Sequence, residues 1–171
     1  MPKKQILGIG SLAAFGLLAV ALRAVDFKHT APKQTTLTEL EAFHGHLGPY
    51  VVIGARIGDM ALTRLTAKRF SGIRVVVEGT DKPPQRCAID GLQVATGATF
   101  GKDSIRFKAS PEFCVRLVNA ETRGGLAVRL LPAFAKELDE WFAQKIDLHE
   151  QTHRVFNRPM ESMMVVTSYA E

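Results

Sequence analysis

Cysteine is scarce: only Cys87 and Cys114 carry thiols among 171 residues. Two thiols cannot staple a disulfide-dense small domain, and they exclude a four-cysteine zinc site within one chain. Internal repeats and low-complexity tracts are lacking, and a hydrophobic fraction of 46% is too high for a disordered chain. Clustered positive charge is missing as well, although the formal net charge is +5. Residues 1–30 hold Lys3, Lys4, Arg23 and Lys28 against Asp26, a net of +3, which leaves 18 bases and 16 acids, or +2, for the other 141 residues. A near-neutral body lacks the cationic cluster that exchanges counterions with phosphates, so no nucleic-acid partner is expected.

What the chain does have is one long apolar run. Ile6 to Leu22 are seventeen residues whose only polar side chain is Ser11, flanked by Lys3, Lys4 and Arg23. As a helix the run would cover about 25 Å, slightly less than a hydrocarbon core of about 30 Å. Two readings fit. It is a retained anchor, lengthened by Ala24 and Val25 with Arg23 snorkelling, or a cleaved signal peptide with small residues at Ala19-Val20-Ala21. Lys3 and Lys4 favour a cytoplasmic N-terminus, which puts the body on the exported side, periplasmic or extracellular. Residues 1–25 therefore form the membrane or signal segment, 26–36 a polar linker around Pro32, and 37–171 a globular domain.

Within that domain, Thr38-x-x-Glu41 resembles a capping box opening a helix over 39–44. After Gly48-Pro49, apolar residues recur at helical spacing to about Phe70, with Gly54 and Gly58 leaving one face bare. Ile73–Val77 reads as a buried strand, and Gln85–Ala95 as a helix ended by Gly97. Ser104–Lys108 and Phe113–Asn119 alternate like strands. Leu126, Leu130, Ala133, Phe134, Leu138 and Trp141 form an apolar stripe that predicts a long helix over 126–143. A helix over 147–156 and a strand over Met163–Tyr169 complete the chain. Helices and strands interleave without strict βαβ alternation, so the fold class is α+β, a single mixed helix and sheet domain.

Two clusters carry chemistry. In Phe43-His44-Gly45-His46-Leu47-Gly48-Pro49-Tyr50, one glycine between two histidines allows both imidazoles to face a common point, and imidazole is a common transition-metal ligand. The plainer alternative has His44 capping a helix end and His46 facing water. In Lys82-Pro83-Pro84-Gln85-Arg86-Cys87-Ala88-Ile89-Asp90, the prolines place Cys87 at a helix start, where free N–H groups and the helix dipole favour a thiolate. Asp90 follows three positions on, within reach of a metal or of a histidine that binds one. A buried structural cysteine and a Cys87–Cys114 disulfide are the competing readings.

Together, FHGHLGPYVVIGARIG and KPPQRCAIDGLQVATGATFGK resemble the FmdE family, named for a component of formylmethanofuran dehydrogenase, densely over Leu37 to Phe107 and weakly beyond. The resemblance implies a mixed α/β core that tends to dimerise and binds a metal. It assigns His44, His46 and Cys87 as ligands of one transition metal ion, zinc by choice, and Tyr50, Asp90, Gln93, Thr96, Thr99 and Lys102 as the pocket around it. Many members carry a cysteine where this chain has Gly48, which removes one potential ligand, and the family's common zinc ribbon is not present. Three ligands would leave one coordination position open.

Two further motifs are decoys. Gly97–Ser104 imitates a phosphate-binding loop, but three residues rather than four separate its glycines, Asp103 stands where a hydroxyl is required, and it follows a helix. His149-Glu150-Gln151-Thr152-His153 is a literal HExxH, yet Phe156 and Pro159 occupy the positions that a metzincin fills with Gly and His. A solvated helix face is the simpler expectation. The expected role is a membrane-anchored, exported, metal-binding accessory or redox-associated subunit, as a homodimer or within a membrane complex. A metal-free structural subunit and a small metal-dependent hydrolase or lyase are the alternatives.

Overall fold

A computed structural model describes residues 34–171. The apolar run and most of the linker, with the anchor and signal readings that rest on them, lie outside the described residues. Among the described residues no helix is long and apolar enough to cross a membrane.

The chain is already docked at Thr35, whose N–H and hydroxyl donate to the Asp59 carboxylate at 2.8 and 2.9 Å. Helix α1 (Leu37–His44) follows. Its capping box is Thr36 with Glu39, not Thr38 with Glu41: the Thr36 hydroxyl accepts the Glu39 N–H, and the Glu39 carboxylate accepts the Thr36 N–H at 2.9 Å. Two Thr-x-x-Glu frames overlap in the sequence, and the docking of Thr35 selects the earlier one. Gly45, at φ +86°, ends α1 in the left-handed region.

Helix α2 (Pro49–Arg64) starts with Pro49 in its first turn and is buried along most of its length. It stops short of the expected Phe70, because the chain turns after Leu65 and the Phe70 N–H donates to Thr96 O at 2.8 Å. Helix α3 (Ala88–Thr96) is entered through a short 3-10 turn at Gln85–Cys87 and ended by Gly97 at φ +67°. The two helices touch backbone to backbone. A Cβ on Gly54 would sit 2.0 Å from Ala88 O, and one on Gly91 would sit 1.9 Å from Val51 O. That approach requires glycine, and it fixes the start of α3 against the start of α2.

Five strands form one sheet in the order β2-β1-β3-β4-β5. They are β1 (Ile73–Gly79), β2 (Ile105–Ala109), β3 (Cys114–Asn119), β4 (Gly124–Leu130) and β5 (Met164–Ala170). β1 and β2 are parallel, joined through α3, and the other pairs are antiparallel. Alternate residues Val75, Val77, Val115, Leu117, Leu126 and Val128 are buried in one core with Val52, Ile53, Ile57 and Leu92. The intervening side chains point the other way, where Glu78 pairs with Arg116 and Lys108.

One element differs in kind from its expectation. The helix expected over 126–143 begins only at Pro132, as α4 (Pro132–Ala143). Leu126–Leu130 belong to β4, held between β3 and β5. Leu126 and Leu130 share a helical spacing with Phe134 by coincidence. Proline lacks the N–H that a helix interior needs and fits its first turn, so it marks the true start. Helix α5 (Leu148–Asn157) matches its expected span, with Asp147 capping the N–H groups of His149 and Glu150. The α+β class, as one mixed helix and sheet domain, holds.

Candidate metal-binding site

The tight α2–α3 contact brings the two sequence clusters together. His44 ends α1, and its Nδ1–H donates to Asp90 Oδ2 of α3 at 2.7 Å. The His44 side chain is 11% exposed and that of Asp90 36%. A carboxylate on Nδ1 fixes the tautomer and leaves the Nε2 lone pair free to bind a metal. The His46 ring lies beside it, centroids 4.6 Å apart and tilted by 35°.

Cys87 caps α3 one turn before Asp90 and is half-buried. The expected thiolate is not favoured here: burial pushes the thiol up first, and the nearby Asp90 carboxylate adds to the effect. Both cysteines are free thiols, with no disulfide between Cys87 and Cys114. Cys114 is buried at the start of β3.

Cys87, Asp90 and Gln93 line one open cleft of about 320 Å³, together with Arg86, Phe100 and Phe107. Arg86 stacks over the Phe107 ring at 5.3 Å, and Phe100 stands 83% exposed at the cleft. These last three residues are absent from the sequence-based set: Arg86 adjoins Cys87 in its 3-10 turn, Phe100 opens the turn at 100–102, and Phe107 arrives on β2 through its parallel pairing with β1. No local pattern announces that juxtaposition.

The other expected pocket residues do structural work. Tyr50 is buried between Phe113 and Phe142, and its hydroxyl meets Gln85. The Thr96 hydroxyl donates to Leu92 O at 2.6 Å and accepts the Ala98 N–H. Thr99 opens the 3-10 turn at 100–102 and bonds Ser104. Lys102 caps the end of α3 by donating to Phe70 O and Gly97 O. A lysine so tied to the backbone is not a phosphate-binding one. A wider concavity of about 650 Å³ around Arg74, Arg106, Arg116 and Tyr169 contains Lys102 but none of the other expected site residues.

The donor types fit a first-row transition metal: two imidazoles, one of them carboxylate-oriented, and a thiol. The placement is less complete. Among the described residues no three or more His, Cys, Asp or Glu side chains are gathered closely enough to hold one ion. His44 and His46 lie side by side with Asp90 bonded to His44, and Cys87 stands one turn before Asp90 on α3.

A mixed domain with adjacent histidines, the first of them hydrogen-bonded to the opening turn of α3, defines a class, and comparison with known proteins names it. The profile of the family described as "FmdE, Molybdenum formylmethanofuran dehydrogenase operon" matches residues 43–168. This chain belongs to the FmdE family. It is similar to a probable S-adenosyl-L-methionine-binding protein of Archaeoglobus fulgidus, 29% identical over 131 residues covering 68% of this chain. The matched region spans about a third of that relative, 34% of its length. The fold also resembles the crystal structure of a tungsten formylmethanofuran dehydrogenase FmdE-like protein from Syntrophus aciditrophicus. That similarity has a TM-score of 0.59 at 23% identity and covers 78% of this chain and 70% of the other.

Proposed function

We propose that this domain is a metal-binding accessory component of the formylmethanofuran dehydrogenase type of system. Its ligands are His44, His46 and Cys87, and its N-terminal segment holds it at the exported side of a membrane. The observation that carries the reading is the His44–Asp90 hydrogen bond of 2.7 Å with the His46 ring alongside. A part-buried carboxylate behind an imidazole orients that ring, the usual support of a metal-binding histidine. Zinc or another first-row ion bound by three protein donors keeps an open position, so it could polarise a water or accept a ligand from a partner. The residues of this chain orient, shield and supply donors. The cleft gives a small molecule access to Cys87 and Asp90, while His44 and His46 do not line it. A second copy of the chain, or another component of a membrane complex, is the expected partner.

The test is metal titration of the full chain. Asp90→Asn should weaken binding by roughly 10–100-fold, because it removes the carboxylate behind His44. Unchanged affinity in Asp90→Asn would contradict the reading.

A second reading rests on the cleft and on the name of the Archaeoglobus relative. Its lining of Phe100, Phe107, Asp90 and Gln93 offers aromatic faces and polar groups to a nucleoside such as S-adenosylmethionine. Calorimetric titration with S-adenosylmethionine distinguishes the two, with Phe107→Ala expected to abolish binding if this reading is right.

A further inference from the structure

The HExxH pair of α5 has no part in the site above, and its geometry is specific. His149 and His153 sit four residues apart on an exposed face of the helix, with ring centroids 4.3 Å apart. Their Nε2 atoms are 3.1 Å apart, so both rings aim the same nitrogen at one point. Without an ion, one Nε2–H donates to the other nitrogen. We propose that His149 Nε2 and His153 Nε2 form a second, bidentate site for a borderline first-row divalent cation, Cu(II) above Ni(II) and Zn(II).

The distance supports this assignment. With metal–nitrogen bonds of about 2.0–2.1 Å, two imidazole nitrogens lie about 2.9 Å apart at a right angle and about 3.4 Å apart at a tetrahedral one. The observed 3.1 Å falls between those limits. Both rings need only carry their protons on Nδ1 for the two lone pairs to converge on an ion.

The helix presenting them is rigid. Gln151, Thr152 and Val155 bury its other face. Arg56 of α2 donates to Val155 O and Arg158 O at 2.6 and 2.5 Å, closing its C-terminal end. Asp147 caps its start. Glu150, the would-be base of a protease, is instead paired with Arg154 at 2.5 Å. The site is therefore a chelating clip without a catalytic carboxylate, and water fills the remaining coordination positions. Imidazole donors follow the usual divalent order, which puts copper first.

Trp141 is the only tryptophan in the chain, and Arg154, the neighbour of His153, stacks on it at 5.2 Å. Its fluorescence reports on metal arriving at α5. The experiment titrates the full chain carrying Cys87→Ser with Cu(II), which removes one donor of the first site and the more accessible of the two thiols that could reduce copper, Cys114 being buried. The expected result is saturable quenching of Trp141, reversed by a chelator and weakened when Ni(II) or Zn(II) replaces Cu(II). His149→Asn and His153→Asn should each lower the affinity by roughly a hundredfold, the advantage of two linked donors over one. Glu150→Gln should leave it within about twofold, because Glu150 is not a donor. Quenching that survives either histidine substitution, or that disappears with His46→Ala instead, overturns the proposal. The second outcome would place the copper at the first site. The first site is tested separately, with Cys87 intact: binding at α5 that persists in a chain showing no metal-bound thiolate would leave this inference standing while removing the proposed function.

Discussion

Gly91→Ala tests the geometry that assembles the site. A Cβ at this position falls 1.9 Å from Val51 O and 2.7 Å from Ala55 N, against an ordinary contact of 3.4 Å or more. Both neighbours are backbone atoms inside α2, so no side chain can rotate away. The helices must separate by about 1.5 Å, which loosens packing along their whole contact. Overpacking a core usually costs about 1–3 kcal/mol, and a clash with backbone on both sides puts this substitution at about 3–4 kcal/mol. For a domain of this size that is a fall of roughly 10 °C in melting temperature. The measurement is calorimetric melting of a graded series. Gly58→Ala meets the Ala95 Cβ at 2.7 Å and Thr96 Cγ2 at 3.0 Å, a shallower overlap than at Gly91 although the Ala95 Cβ moves only with its backbone, and should cost about 1–3 kcal/mol. Gly101→Ala has nothing within 4 Å and should melt within about 2 °C of the parent. If Gly91→Ala and Gly101→Ala melt together, the claim that α2 and α3 are locked backbone to backbone is wrong.

Other consequences follow from buried polar groups. Burial raises both tyrosines above the ordinary phenol range, with Asp139 adding to the rise at Tyr50 and Glu171 and Cys114 at Tyr169. Their folded values exceed the unfolded one, so the stability they contribute is complete below about pH 10 and is lost as pH rises through the folded values. Ultraviolet titration should show less phenolate in the folded than in the denatured chain at that pH, and Tyr50→Phe should flatten the alkaline loss of stability. Equal ionisation in both states would contradict this. Arg56→Met removes two donations to the end of α5, at 2.6 and 2.5 Å. It should cost about 1.5–3 kcal/mol and speed amide exchange selectively in α5, as hydrogen–deuterium exchange would detect.

Much of this arrangement is legible in local sequence. Proline and glycine mark the start of α2 and the end of α3, and Gly54 and Gly58 announce a close neighbour before that neighbour is known. The motif pair that carries the family resemblance also holds the His44–Asp90 contact. Non-local pairing is what local pattern could not supply. Leu126 and Leu130 satisfy a helical period and an alternating one equally well; Pro132 marks where the helix starts, and the flanking strands make the residues before it β4. Phe107 joins the cleft because β2 lies parallel to β1, a choice no short window encodes. Tyr50 and Thr96 stand in a functional motif, yet their hydroxyls are spent on Gln85 and on Leu92 O. A motif names residues without saying which of them face the ligand.

Everything proposed for the first site depends on His44, His46 and Cys87 sharing one transition metal, with Asp90 orienting the first of them. Titrating the full chain with Co(II) decides the matter, because thiolate and imidazole ligands leave distinct absorption bands on that ion. The expected outcome is a single tight site whose thiolate charge-transfer band vanishes in Cys87→Ser. Affinity should fall by roughly 10–100-fold in Asp90→Asn, with His149→Asn leaving the band unchanged. A chain that binds Co(II) without a thiolate band, or with undiminished affinity in His44→Ala and His46→Ala, contradicts the proposal.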